Sequence, residues 1–85
     1  ISSIHNSHNY KFEVYPNPTN GNLKFKVKEN ISKIFIYNTL NKKISVINTI
    51  KNNQIDISNL NNGIYFIKII TTNDEVSVKK IILSK

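Results

Sequence analysis

The 85-residue chain has no alanine, arginine, cysteine, methionine or tryptophan, and it holds two glycines and two prolines. Without cysteine it cannot build a disulfide framework, a thiolate metal site or a cysteine nucleophile. Without arginine it cannot make the bidentate guanine contact that dominates direct base readout. Long apolar runs are missing too. The longest, Ile64 to Ile70, is interrupted by Lys68 and falls far short of the ~20 residues of a transmembrane helix. The opening Ile1–Asn9 lacks the basic start and apolar stretch of a secretory signal and does not begin with methionine, so the chain is read as a piece of a longer precursor. A chain this short supports one small core.

Acids are scarce against bases. Twelve lysines face five Asp and Glu for a net charge of +7, and the sequence pI is about 9.8. Such a balance favours contact with polyanions. It has a plainer origin as well, because the 16 isoleucines, 15 asparagines and 12 lysines share A/T-rich codons. A lysine-solvated surface with no nucleic-acid partner is the expectation.

A period of two recurs along the chain. In Leu23-Lys24-Phe25-Lys26-Val27-Lys28 the apolar residues take one face and the lysines the other, and Tyr10–Val14 alternates in the same way. Between them Pro16 and Pro18 remove ladder donors, and Asn20-Gly21 is expected to supply the positive-φ positions of a turn. Ile31–Tyr37 reads as a largely apolar strand, followed by a polar turn at 38–42. Ile44 and Val46 alternate with Ser45 and Ile47, and Ile55–Ile57 is a short strand. Gly63–Thr71 sets Tyr65, Ile67 and Ile69 on one face and Ile64, Phe66 and Lys68 on the other. The last strand, Glu75–Leu83, has a blurred parity around Lys79-Lys80 that predicts a bulge or a twisted edge. Seven strand-like segments and no credible helix predict an all-β fold, a small antiparallel seven-stranded immunoglobulin-like β-sandwich.

Little in the sequence suggests catalysis. The five acids, Glu13, Glu29, Asp56, Asp74 and Glu75, form no evident acid pair. Asp74-Glu75 reads as turn chemistry, since two adjacent acids offer too few oxygens for calcium. His5 and His8 lie in a Ser/Asn-rich tail with no third ligand. Both glycines follow asparagine at turns, so there is no Gly-rich phosphate loop. Neither an enzyme activity, a metal nor a cofactor is expected.

Three blocks stand in order: Val14-Tyr15-Pro16-Asn17-Pro18-Thr19-Asn20-Gly21, then Ile57-Ser58-Asn59-Leu60-Asn61-Asn62-Gly63-Ile64-Tyr65, then Lys79-Lys80-Ile81-Ile82-Leu83-Ser84-Lys85. In this the chain resembles the type A C-terminal sorting domain of the type IX secretion system of Bacteroidetes, over about Phe12 to Lys85. The Tyr-Pro-Asn-Pro block carries most of the likeness. On the residues, Pro16 and Pro18 make a stiff corner, Gly21 lets the chain reverse, Gly63 takes a conformation closed to other residues, and Tyr65 buries a ring whose hydroxyl reaches backbone.

The resemblance implies an address rather than a reaction. Residues 1–9 are expected to be a flexible linker from an upstream cargo, and residues 10–85 the sorting domain. The implied partners are the type IX translocon, outer-membrane shuttle proteins and a sortase-like cysteine peptidase that removes the domain. The implied route runs through the periplasm to the cell surface or the medium. Family-motif residues are Tyr15, Pro16, Asn17, Pro18, Gly21, Gly63, Tyr65, Lys79 and Lys80. The final strand is expected to be read by the translocon through Val76, Val78, Lys79, Lys80, Ile82 and Lys85, by strand addition or surface docking. The competing reading is a carbohydrate-binding or adhesive module that uses Tyr10, Tyr15, Tyr37 and Phe66.

Overall fold

The computed structural model describes residues 12–85. The expected linker at 1–9, both histidines, Tyr10 and Lys11 lie outside the described residues. Seven strands follow in order: β1 (Phe12–Tyr15), β2 (Asn22–Val27), β3 (Ile31–Tyr37), β4 (Lys43–Ile47), β5 (Gln54–Asp56), β6 (Gly63–Thr71) and β7 (Val76–Leu83). No helix occurs among the described residues. A three-stranded sheet in the order β1-β2-β5 faces a four-stranded sheet in the order β4-β3-β6-β7. Every pairing between strands is antiparallel.

The period-two pattern becomes the core. Phe12, Leu23, Phe25 and Ile55 point inward from one sheet, and Ile34, Ile36, Tyr65, Ile67, Ile69, Ile81 and Leu83 from the other, all buried. Each fully buried aliphatic side chain contributes about 1.5–3 kcal/mol, which is what holds so small a domain together. β6 is central in its sheet, paired with β3 along one side and β7 along the other, and it fits the long apolar segment expected there.

Two expectations are corrected. Of the two alternatives for the last strand the bulge is absent: β7 is an edge strand, and its register with β6 runs unbroken from Gly63↔Leu83 to Ile70↔Val76. Parity holds because Lys79 takes an inward-parity position at the open side of the sandwich, its ammonium 5.8 Å from the Phe12 ring centre, where a long stem lets the charge escape to water. The irregularities fall in β3 instead, between Ile36 and Tyr37 against β4 and between Ile31 and Lys33 against β6. At the first reversal Gly21 alone has positive φ, at 135°; Asn20 does not.

Asparagine has a structural use beyond codon bias. Asn41, Asn52 and Asn53 have φ of 65°, 56° and 53°, the left-handed region that Asn tolerates better than most residues. Asn52-Asn53 fill the centre of a tight turn closed by the Gln54 N–H donating to Lys51 O at 3.1 Å, and two positive-φ centres are what a type I′ turn requires.

Candidate functional site

The two terminal blocks meet in space. β7 lies at the edge of its sheet, and its even-numbered residues turn their backbone groups away from β6. The Asn17 side chain meets them as a short strand would. Its Nδ2 donates to Lys80 O at 3.1 Å, and its Oδ1 accepts the Ile82 N–H at 3.0 Å. Two residues on, the Thr19 N–H donates to Ile82 O and Thr19 O accepts the Ser84 N–H, both at 2.8 Å. Tyr15–Pro16 and Asn17–Pro18 are both cis. Through the four hydrogen bonds of Asn17 and Thr19 the corner crosses from one sheet to cover the C-terminal half of the other sheet's edge, which blunts a strand otherwise open to pairing.

Thr19 is buried and also closes the corner. Its Oγ1 donates to Asn22 O at 2.7 Å and accepts the Gly21 N–H at 3.1 Å. Gly21 O in turn accepts the Ile57 N–H at 2.7 Å, so a single turn is bonded both to the last strand and to the segment after β5. There the Ser58 N–H donates to Asp56 Oδ1 at 2.9 Å. Donation from Ser58, backbone first and side chain second, holds the Asp56 carboxyl below its usual range. That contribution to stability is present above the unfolded-state value and is lost as pH falls through the lowered one.

The middle block completes the assembly. Tyr65 is buried and its hydroxyl donates to Asn61 O at 2.6 Å, the backbone clasp of a sandwich corner. Gly63 has φ of 155°. Lys85 closes the far end: its backbone N–H donates to Asn62 Oδ1 at 2.9 Å, and its ammonium donates to the carbonyls of Ser58 and Leu60 at 2.9 and 2.7 Å. Lys85 thus holds the loop before β6, a role in the sequence that only its distant partners reveal.

The predicted recognition residues divide by parity. Val76, Val78, Lys80 and Ile82 project together from the outer face of the four-stranded sheet, and all four are exposed, Val78 to 55%. Lys79 and Lys85 point elsewhere. On the same outer face Lys80 pairs with Phe66 and Phe66 with Tyr37; Val78 pairs with Lys68, Lys68 with Phe35 and Phe35 with Val46. Lys33, Ile70 and Val76 form the next row, and Ile64 stands opposite Ile82. Periodicity announced Phe66 and Lys68 as a second face. The contribution of Phe35, Tyr37 and Val46 needed the strand order. Of the aromatics proposed for sugar binding, Tyr37 and Phe66 share this face while Tyr15 belongs to the other sheet, so they make no single platform.

Two modest effects follow from these bonds. Asn17→Ala is expected to lower stability by about 1 kcal/mol, the usual net worth of partly exposed hydrogen bonds. Hydrogen exchange at the Ile82 amide should accelerate while the Ser84 amide, held by Thr19, stays protected. Tyr65→Phe keeps the ring and removes only the donor to Asn61 O, so urea unfolding should show a loss of about 1–1.5 kcal/mol with an unchanged m-value.

Residues 13–84 match a protein-family model described as the secretion system C-terminal sorting domain. Among curated proteins no match is found.

Proposed function

The chain belongs to the secretion system C-terminal sorting domains, the sorting-signal family of the type IX system, and from that premise we propose that it is the removable address of a secreted cargo. The observation that carries the reading is the family match, which contains the first two sequence blocks and all of the third but Lys85. The bonding of the Tyr15–Gly21 corner to the last strand supports it, because a recognition strand at a sheet edge must be shielded from indiscriminate pairing until it meets its receptor.

In this reading residues 10–85 form the sorting domain, of type A, and residues 1–9 join it to an upstream cargo. The cargo passes through the periplasm, and the translocon with its outer-membrane shuttle proteins recognises the folded domain. A sortase-like cysteine peptidase then cuts within or before the Ser/Asn-rich lead-in and releases the cargo or attaches it to the cell surface. The domain supplies surfaces and strands rather than reacting groups, and no step calls on a metal or cofactor.

The test is a periplasm-targeted fluorescent protein carrying residues 1–85 at its C-terminus, expressed in a bacterium with a type IX system and in its translocon deletion. Fluorescence on the surface or in the medium of the first, but confined to the periplasm of the second, is the expected result, with the exported reporter shorter than the fusion. Equal distribution in the two strains refutes the proposal.

A further inference from the structure

The two outer faces of the sandwich differ in kind. On the three-stranded sheet, Glu13 stands opposite Lys26, Lys24 opposite Gln54 and Asn22 opposite Asp56, a polar face with both charge signs. On the four-stranded sheet, lysines stand between apolar side chains, and none of the chain's five acids falls in those rows. Five of the eight large apolar side chains that remain exposed, Val46, Ile64, Val76, Val78 and Ile82, lie on this second face. A concentration of exposed apolar groups on one face of a small domain marks an interaction surface.

We infer that the outer face of the four-stranded sheet, centred on Phe35, Phe66, Lys68, Val78 and Lys80, docks a protein surface that sets carboxylates between apolar side chains; this deepens the sorting reading and rests on it. Charge and spacing select that occupant. Lys68 is central and half-buried, its ammonium 5.9 Å from the Phe35 ring centre, with Lys43 over the same ring at 4.8 Å. Pressing this face into a bilayer would strand Lys68 among acyl chains, a costly place for a cation. A second copy of the domain would set lysines against lysines across a shared axis. Acids spaced between apolar contacts satisfy both halves of the pattern, and the attraction steers the encounter. Strand addition is the weaker route, since Asn17 and Thr19 already occupy the edge of β7 from Lys80 O to Ser84 N.

The decisive comparison uses the same reporter fusion. Lys33, Lys68 and Lys80 are all changed to Glu in one variant, and Lys24, Lys26 and Lys28 in the other, so that net charge changes equally. The first should lower export by about tenfold or more, the loss that abolished interfacial charge pairs produce, while the second stays within about twofold of the parent. Equal effects overturn the inference. Should the first variant fail to melt cooperatively, Val78→p-benzoylphenylalanine in the otherwise unchanged fusion decides instead. A photo-crosslink to a protein at an acid-rich surface supports the inference, and a crosslink to lipid or to nothing overturns it. Sedimentation with phosphatidylglycerol vesicles that is lost only in the first variant would likewise overturn it in favour of a membrane. If the parent fusion is not exported, the sorting reading fails, and the Val78 crosslink still decides the face.

Discussion

Removal of Lys79–Lys85 should yield a chain that no longer folds. The segment carries Ile81 and Leu83, which are 0% and 1% exposed, and it closes the hydrophobic layer against Tyr65 and Gly63 of β6. Truncating one such side chain costs about 2–5 kcal/mol, and total stabilities of about 5–15 kcal/mol are usual, with small domains near the bottom of that range. Deletion also frees both backbone bonds of Thr19, both side-chain bonds of Asn17 and the Lys85 clasp on the 58–60 carbonyls. Far-UV circular dichroism with heating should show no cooperative transition; a sharp melt near that of the parent would contradict the packing of Ile81 and Leu83 into the core. Truncation therefore removes fold and address together, and substitutions on the outer face are the cleaner probe of recognition. Leu83→Ala alone should fall between, with a cooperative melt at reduced temperature.

Gly21→Ala is the severest single change expected outside the core. A Cβ built at this position would lie 2.6 Å from Ser58 Cβ and 2.9 Å from Ser58 Cα, and the residue has φ of 135°. Backbone that a side chain rarely adopts costs about 1–3 kcal/mol, and overpacking about as much again, so urea unfolding should register a loss of about 2–5 kcal/mol. The obstruction includes main chain, and relief would part the turn from Ile57, whose N–H donates to Gly21 O at 2.7 Å. Gly63→Ala offers the contrast: φ is 155° but nothing lies within 4 Å of the added carbon, so only the conformational cost of about 1–2 kcal/mol applies. Combining Gly21→Ala with Ser58→Gly removes the nearest contact and should recover part of the loss. If Gly21→Ala and Gly63→Ala prove equally mild, the close approach of Gly21 to Ser58 is not a feature of the folded protein.

Much of the fold was legible because alternation is local. Leu23 and Phe25 are core residues that a period of two identifies unaided, and composition with turn residues marks the bounds of Gly63–Thr71, while alternation there separates Tyr65, Ile67 and Ile69 from Ile64, Phe66 and Lys68 without saying which set is buried. Legibility ended where one parity had to be chosen over another. In β7, Val76 and Val78 are apolar yet face outward, while Ile81 and Leu83 of the opposite parity face the core. Alternation indicates that two faces exist, and only the pairing with β6 decides which is buried. The candidate site followed the same division. Tyr15–Gly21 and Lys79–Lys85 stand out as motifs, but Asn17 and Lys80 are 63 residues apart, and no periodicity links them.

By itself, then, the sequence determined the class of fold, the seven strands of the described residues, part of the core, and the family, since each depends on residue type, local alternation or a contiguous motif. Tertiary structure alone decided that the Asn17–Thr19 corner covers the edge of the last strand, that Lys85 serves an internal loop, and that Val78 and Lys80 share a face with Phe35 and Lys68. Those outcomes depend on strand order and register, which are set by how two sheets bury their apolar faces together. Such long-range geometry is a property of the whole packed chain, and no single stretch of it carries the information.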